Sequence, residues 1–160
     1  MGSRVILNPK PREWTFVEVV DWFETEGSVF ATSENGEEVR IRVVVSSQGE
    51  DEVIRSIWRY LRDLGFHPCY RATRYIMKGG LMRKRAAECE LLSNLEQECF
   101  LKHALPLLRT EKRRRDVTAA LKWLKDRRER PGRRFREFTC PEALRSDTEH
   151  TQPPLTAFRI

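Results

Sequence analysis

A short acidic segment offers the clearest chemistry in this sequence. Glu24 and Glu26 flank Thr25 and are followed by Gly27, a residue type that commonly ends helices. Carboxylates at the C-terminal end of a helix oppose the helix dipole, at a cost of about 0.3–1 kcal/mol each, so their placement there suggests a function. Carboxylate oxygens are the ligands that Mg²⁺ prefers in proteins. The segment therefore suggests a divalent metal site at a helix end.

Basic residues are concentrated in two segments. Residues 109–136 carry 13 Lys and Arg against 4 Asp and Glu, and residues 71–85 carry six basic residues and no acidic one. Residues 1–108 are nearly balanced, with 15 basic and 16 acidic residues. Two local basic fields on a near-neutral body suggest a polyanionic partner, although a solvated helix face and a charged loop would also explain them.

The cysteines and histidines give a weaker signal. The four cysteines contain no CxxC pair, so we interpret them as buried, reduced thiols of an intracellular protein. Cys99 and His103 have a helical spacing that can hold zinc, but these are two ligands where four are usual, and plain packing is the expectation. The sequence contains no Ser-His-Asp order, no Walker loop and no Gly-rich dinucleotide turn.

Length and composition predict an ordinary globular protein. The chain has 160 residues, of which 39% are hydrophobic and 34% charged, which suits one domain with a core. No apolar run approaches the roughly 18 residues of a membrane helix, and no secretion signal is evident. We therefore expect an intracellular location, in the cytoplasm, the nucleoid or an organelle, and no membrane partner.

Hydrophobic periodicity and turn signals predict a regular order of elements. Thr15 and Glu18 fit a capping box that starts a helix ending at Gly27. Strict alternation with a Glu34-Asn35-Gly36 turn then predicts a hairpin, with strands at about 28–33 and 38–47, that has one apolar face and one polar, basic face. The other predicted elements are a helix between Gly49 and Gly65, strands at 67–75 and 84–92, and helices at 94–105 and 112–129.

At this point the sequence resembles a known family. Residues 19–28, Val-Val-Asp-Trp-Phe-Glu-Thr-Glu-Gly-Ser, resemble the LAGLIDADG motif of homing endonucleases. The element order and the later Leu105-Pro106-Leu107-Leu108 segment extend the resemblance over residues 14–128. It implies an α+β fold, an αββαββα saddle with an antiparallel sheet and additional C-terminal helices. The implied domains are an N-terminal extension (1–13), an endonuclease core (14–130) and a tail (131–160) packed on the core or on DNA.

The resemblance also implies catalytic residues. Glu26 corresponds to the acid that binds divalent metal, and the carbonyl of Thr25 is a further candidate ligand. Lys112 corresponds to a catalytic basic residue. Gln48 corresponds to a polar catalytic residue at the end of the second strand, with Ser46 and Ser47 as alternatives. The expected cofactor is Mg²⁺, with Mn²⁺ or Ca²⁺ as substitutes in binding.

A single copy of the motif implies a homodimer whose motif helices pack on a two-fold axis. The residues expected at this interface are Val20, Asp21, Phe23 and Glu24. Asp21 and Thr25 depart from the family pattern, which has small residues at these positions. This difference bears on how closely the two helices approach.

In this family, DNA is bound by the polar face of the sheet. The residues expected to contact DNA from the first hairpin are Ser28, Phe30, Thr32, Arg40, Arg42 and Ser46. Those expected from the second hairpin and the last helix are Arg71, Arg74, Arg83, Lys84, Arg113 and Arg114. An arginine of the sheet can donate to both O6 and N7 of a guanine or can contact a phosphate. Arg113 and Arg114 are expected to contact phosphates.

The function expected from the resemblance is site-specific, double-strand cleavage of DNA by an intron-encoded homing endonuclease. The target would be a pseudo-palindrome of about 20 base pairs or more, cut across the minor groove, because a two-fold dimer mirrors its site. Two alternatives remain open: a non-cleaving relative, such as an intron maturase or a transcription regulator, and a basic interaction protein that matches the motif by chance.

Overall fold

The protein folds as a four-stranded antiparallel sheet with helices against one of its faces. The structure, a computed structural model, describes residues 13–34, 38–48, 51–76, 83–132 and 137–145. The elements in chain order are α1 (Phe16–Glu26), β1 (Gly27–Glu34), β2 (Glu38–Gln48), α2 (Asp51–Leu64), β3 (Cys69–Ile76), β4 (Arg83–Leu91), α3 (Asn94–Ala104), a 3₁₀ turn (Leu105–Leu107) and α4 (Glu111–Glu129). This confirms the predicted α+β class and the αββαββα order.

The predicted capping box of α1 is present. The Thr15 hydroxyl accepts a hydrogen bond from the Glu18 amide at 3.3 Å, and the Glu18 carboxylate accepts one from the Thr15 amide at 3.2 Å. These two bonds satisfy amide groups that the first turn of a helix leaves without partners. The α1 helix therefore begins where the local sequence predicts.

The strands lie in the spatial order β1-β2-β4-β3, and all neighbouring pairs are antiparallel. In the register, Ser28 is opposite Val44, Ser46 is opposite Glu88, and Glu88 is opposite Arg71. Opposite residues share a face, so one face comprises the even positions of β1, β2 and β4 and the odd positions of β3. We call this surface the polar face.

The other face of the sheet covers an aromatic core. Phe100 of α3 lies at its centre, with edge-to-face contacts to Phe16, Phe23 and Phe66 at centroid distances of 5.6, 5.4 and 6.5 Å. Where β4 leaves β2, the buried Gln97 amide nitrogen donates to the carbonyls of Ile41 and Leu91, at 2.6 and 2.7 Å. A polar side chain thus satisfies two strand carbonyls that the ladder no longer pairs.

Part of the tail packs on this core. Residues 142–145 form one helical turn, Leu144 is fully buried, and the Phe138 ring lies 5.5 Å from that of Phe66. Cys140 forms a disulfide with Cys99 of α3, with a Cα–Cα distance of 5.8 Å. The expectation of four reduced thiols is therefore wrong for this pair, because the returning tail brings together residues that are 41 positions apart. Cys69 and Cys89 are free.

Some expectations fall on residues outside the described ranges. They include the segment 1–12, the Asn35-Gly36 turn, the Gly79-Gly80 loop and the tail beyond 145. Within the described ranges, no helix combines the length and the apolar character needed to cross a membrane.

Candidate active site

The end of α1 is joined directly to β1 because Gly27 permits a close approach. A Cβ atom at position 27 would lie 2.5 Å from the Phe23 carbonyl oxygen and 2.6 Å from the Val44 carbonyl oxygen. Both are backbone atoms, which cannot move aside as a flexible side chain could. The glycine is therefore required by space, since its φ of −89° is accessible to any residue.

Arg113 of α4 caps the C-terminal end of α1. Its guanidinium donates to the carbonyls of Glu24 and Gly27 at 3.1 and 2.8 Å and lies over the Phe23 ring at 5.4 Å. A cation at this end of a helix stabilises the dipole and the unpaired carbonyls. We expected Arg113 to contact DNA, but these contacts engage its half-buried side chain within the chain itself.

Glu24 makes the reciprocal contact from α1 to the start of α4. One oxygen of its carboxylate accepts from the amides of Arg109 and Thr110, at 2.7 and 3.1 Å, and from the Thr110 hydroxyl at 3.3 Å. An acid is favourable at the N-terminal end of a helix. Arg113 and Glu24 thus hold the end of α1 against the first turn of α4.

Glu26 differs from Glu24 in its surroundings. It is the last residue of α1, its side chain is exposed, and its carboxylate has no hydrogen-bond partner in the part of the chain that the structure describes. Its backbone carbonyl accepts from the Ser46 hydroxyl at 2.9 Å, which fixes the end of the helix to β2. The Thr25 hydroxyl donates back to the carbonyls of Asp21 and Trp22, both at 3.2 Å.

The other predicted catalytic residues lie on elements that meet at this helix end. Lys112 is exposed on the first turn of α4, next to Arg113. Gln48 ends β2 opposite Ala86, and its side chain lies outside what the structure describes. Of the alternatives to Gln48, Ser46 contacts Glu26 directly, whereas Ser47 is buried on the core side of the sheet.

The predicted interface residues of α1 divide into two groups. Val20 and Phe23 have no exposed surface in the single chain. Their side chains fill the core under the sheet. Asp21 is half-buried, and its carboxylate lies 3.7 Å from the exposed guanidinium of Arg109. An ion pair that is open to solvent in this way contributes little to stability.

The polar face contains an acidic residue that the sequence analysis did not single out. Glu90 of β4 is 2% exposed, and its carboxylate pairs with Arg42, at 3.4 Å, and with Arg71. The alternation of β4 could have indicated it, since Glu88 and Glu90 occupy consecutive positions of one face. The carboxylate holds two of the predicted DNA-contacting arginines and offsets part of their charge.

The register also assigns the remaining basic positions of the second hairpin. Arg71 and Lys84 belong to the polar face, together with Arg42. Arg74 is opposite Arg85 and Arg83 is opposite Ile76, which are positions of the other face. The positions of Ser28, Phe30, Thr32, Arg40 and Ser46 all share the polar face. Side chains are described for Ser28 and Ser46 of these five; for the other three, and for Arg74, Arg83 and Lys84, the strand position alone is described.

Comparisons with known proteins give similarity to solved structures alone. No protein-family model matches the chain, and no curated protein matches it significantly. Two crystal structures of the homing endonuclease I-CvuI are similar, one in complex with its target in the presence of Ca and one with the I-CreI target in the presence of Mg, with the DNA not cleaved. Each shares 13% identity over 84% of this chain and 92% of the other, with TM-scores of 0.46 and 0.45. At this level of similarity, function has to be argued from the residues of this chain.

Proposed function

We propose that this protein is a site-specific DNA endonuclease that acts as a homodimer and uses a divalent metal ion held by Glu26. The observation that carries this proposal is the difference between two neighbouring acids. Glu24 accepts three hydrogen bonds and serves the fold, whereas Glu26 is exposed, at the unfavourable end of a helix. A carboxylate that does not serve the fold is available for a cation.

The residues at the helix end fit Mg²⁺. This ion requires oxygen ligands and commonly takes one or two carboxylates, with waters and phosphate oxygens completing its shell. Glu26 supplies one carboxylate per subunit, and the carbonyl of Thr25 is the second candidate ligand. A bound divalent ion supplies an activated water and stabilises the negative charge of the leaving oxygen. Mn²⁺ is expected to substitute, and Ca²⁺ to support binding.

The chain's own residues then position the DNA and stabilise its charge. Lys112 is a cation at the same end of the molecule, because Arg113 next to it contacts the Gly27 carbonyl. Its ammonium group would stabilise charge that develops on the phosphate during hydrolysis. Ser46 fixes the end of α1, and Gln48, two residues further along β2, would order solvent near the scissile phosphate.

The polar face and the first turns of α4 would bind the DNA. Arg42, Arg71 and the strand position of Lys84 share one face of the sheet, and Arg114 and Arg115 are exposed on α4. Arginine on a sheet can contact base edges in the major groove, and exposed cations on the helix would contact phosphates. Affinity should therefore fall steeply with salt concentration.

The outward side of α1 is the proposed contact between two copies. Val17, Asp21 and Thr25 follow a spacing of four residues, which places them on one side of the helix, and each is half-buried or exposed. Pairing along this side would bring two Glu26 carboxylates to one two-fold axis. Two subunits would then cut one strand each within a pseudo-palindromic site of about 20 base pairs.

The experiment is cleavage of a randomised double-stranded DNA library in the presence of Mg²⁺. Wild type, Glu26→Gln and the exposed-acid control Glu129→Gln are compared. The proposal predicts that wild type and the control cut a discrete long site, and that Glu26→Gln binds this site without cutting it.

Two outcomes of this experiment would contradict the proposed endonuclease function. If all three proteins bind DNA and none cuts with Mg²⁺ or Mn²⁺, the metal role of Glu26 is wrong and the polar face is a binding surface, with RNA as the next ligand to test. If the protein is a monomer without salt-dependent DNA affinity, a basic interaction protein is the better description.

A further inference from the structure

A second cluster of metal-ligating residues lies away from the end of α1. Cys99 and His103 are four residues apart on α3, so they lie on the same side of that helix. Cys140 comes from the returning tail. The two sulfurs and a ring nitrogen of His103 all lie within 4.8 Å of one another. In this structure, Cys99 and Cys140 are joined as a disulfide.

The position of Cys140 does not depend on the disulfide alone. Phe138, two residues before it, packs on Phe66, and Leu144, four residues after it, is fully buried. Apolar contacts therefore hold the tail on both sides of the cysteine. After reduction of the disulfide, the two thiols should stay close to each other and to His103.

We propose that in the reduced protein Cys99, His103 and Cys140 bind one zinc ion, with a water molecule as the fourth ligand. Thiolate and imidazole are the ligands that zinc prefers, in tetrahedral geometry. His103 Nδ1 lies 3.8 Å from Cys140 Sγ. Zinc bonds of about 2.1 Å to nitrogen and 2.3 Å to sulfur give a tetrahedral N···S edge of about 3.6 Å.

The histidine can turn its nitrogen to the metal without leaving a backbone group unpaired. His103 Nδ1 also lies 2.9 Å from the Cys99 carbonyl oxygen. That carbonyl is the α-helical acceptor of the His103 backbone amide, four residues on. Zinc binding through Nδ1 would therefore remove a supplementary contact, and the proton of the ring would reside on Nε2.

The surroundings leave room for the fourth ligand. A cavity of about 240 Å³ borders the two cysteines and His103, and a water molecule occupies about 30 Å³. Glu98 also lines the cavity, but its carboxylate is held by Lys102 at 3.3 Å and Arg128 at 2.6 Å. Two thiolates balance the charge of Zn²⁺, and Glu98 offsets the charge of the nearby cations. A water is therefore the fitting fourth ligand.

Zinc and the disulfide exclude each other. To reach the zinc-binding form, a dithiol reductant gives two electrons and two protons, the Cys99–Cys140 bond breaks, each sulfur is protonated, and the reductant becomes a disulfide. Zinc then displaces one proton from each thiol. Reducing compartments keep such thiols available. Either link would fasten the tail to α3.

The test uses the full chain, reduced by a dithiol and freed of metal with a chelator. Zn²⁺ alone is added, unbound metal is removed, and bound zinc is measured for wild type, His103→Gln, Cys140→Ser and the control Cys69→Ser. We expect about one zinc per chain in wild type and the control. We expect His103→Gln and Cys140→Ser to bind zinc more than about a hundredfold more weakly than wild type. This loss of affinity is larger than the loss caused by replacing a residue that contacts a metal ligand but not the metal itself.

Two further measurements guard against misfolded variants. Oxidised His103→Gln should retain the circular dichroism spectrum of wild type, because the disulfide does not require the imidazole. Reduced wild type with Co²⁺ should show the intense visible bands of tetrahedral, thiolate-bound cobalt. The proposal is overturned if reduced wild type retains no zinc, if cobalt gives the weak spectrum of an octahedral ion, or if Cys69→Ser loses zinc as Cys140→Ser does.

Discussion

The guanidinium of Arg113 donates a hydrogen bond to the carbonyl of Gly27 at 2.8 Å, which joins the first turn of α4 to the end of α1. The same group contacts the Glu24 carbonyl and the Phe23 ring. Glu24 returns the contact through the amides of Arg109 and Thr110. The position of Glu26 therefore depends on residues more than 80 positions later in the chain.

Replacement of Arg113 by alanine should destabilise the fold. Hydrogen bonds from a charged group contribute about 1.5–3 kcal/mol, and the stacking on Phe23 adds about 0.5–1 kcal/mol. We expect the free energy of unfolding, measured with urea, to fall by about 2–4 kcal/mol. The exposed neighbour variant Arg115→Ala should stay within about 0.5 kcal/mol of wild type. Equal losses in the two variants would contradict the capping role.

Replacement of Gly27 by alanine should disrupt the junction between α1 and β1. The added Cβ would meet the carbonyl oxygens of Phe23 and Val44, and overpacking of this kind costs about 1–3 kcal/mol. Gly132→Ala is the matched control, because its φ of +85° is strained for alanine, but no atom of the described residues lies within 4 Å of the added Cβ. We expect the control to lose about 1 kcal/mol in urea unfolding. A loss at Gly27 no larger than at Gly132 would show that the junction can relax.

Neutralising Glu90 should alter DNA binding rather than abolish it. In Glu90→Gln, Arg42 and Arg71 lose the carboxylate that holds them and offsets their charge. We expect tighter binding to random-sequence DNA, a steeper dependence of affinity on salt, and weaker discrimination of the specific site. Fluorescence anisotropy over a salt series measures all three, with Glu88→Gln on the same strand as control. If Glu90→Gln discriminates between the specific site and random-sequence DNA as wild type does, Glu90 does not contribute to base recognition.

The free thiol of Cys89 should make folding stability depend on alkaline pH. Burial raises the pKa of this thiol from 9.0 to about 12, with smaller contributions from Cys69 and Glu90. Above pH 9 the unfolded chain loses the proton while the folded chain keeps it, so this contribution to stability is lost as pH rises from about 9 to 12. The decline in the free energy of unfolding over this range should be smaller in Cys89→Ala than in wild type. Identical declines would contradict the burial of the thiol.

Much of the fold follows from local patterns in the sequence. The Thr15–Glu18 capping box and the alternation in β2 predict elements to within one or two residues of those observed. The pairing of Cys99 with Cys140 and the contact of Glu24 with Arg109 could not be predicted, because they arise from chain segments that meet only in the folded state. The burial of Glu90 likewise depends on the strand order, which places β4 between β2 and β3.

The central claim is that Glu26, and not Glu24, holds the catalytic metal. It is tested most directly by single-turnover cleavage of the selected DNA site over a range of Mg²⁺ concentrations, comparing Glu26→Gln with Glu24→Gln. We predict that Glu26→Gln folds and binds DNA like wild type but cuts about a thousandfold more slowly, equivalent to about 4 kcal/mol. We predict that Glu24→Gln is less stable yet still cuts when folded. Wild-type cleavage rates in Glu26→Gln would contradict the claim.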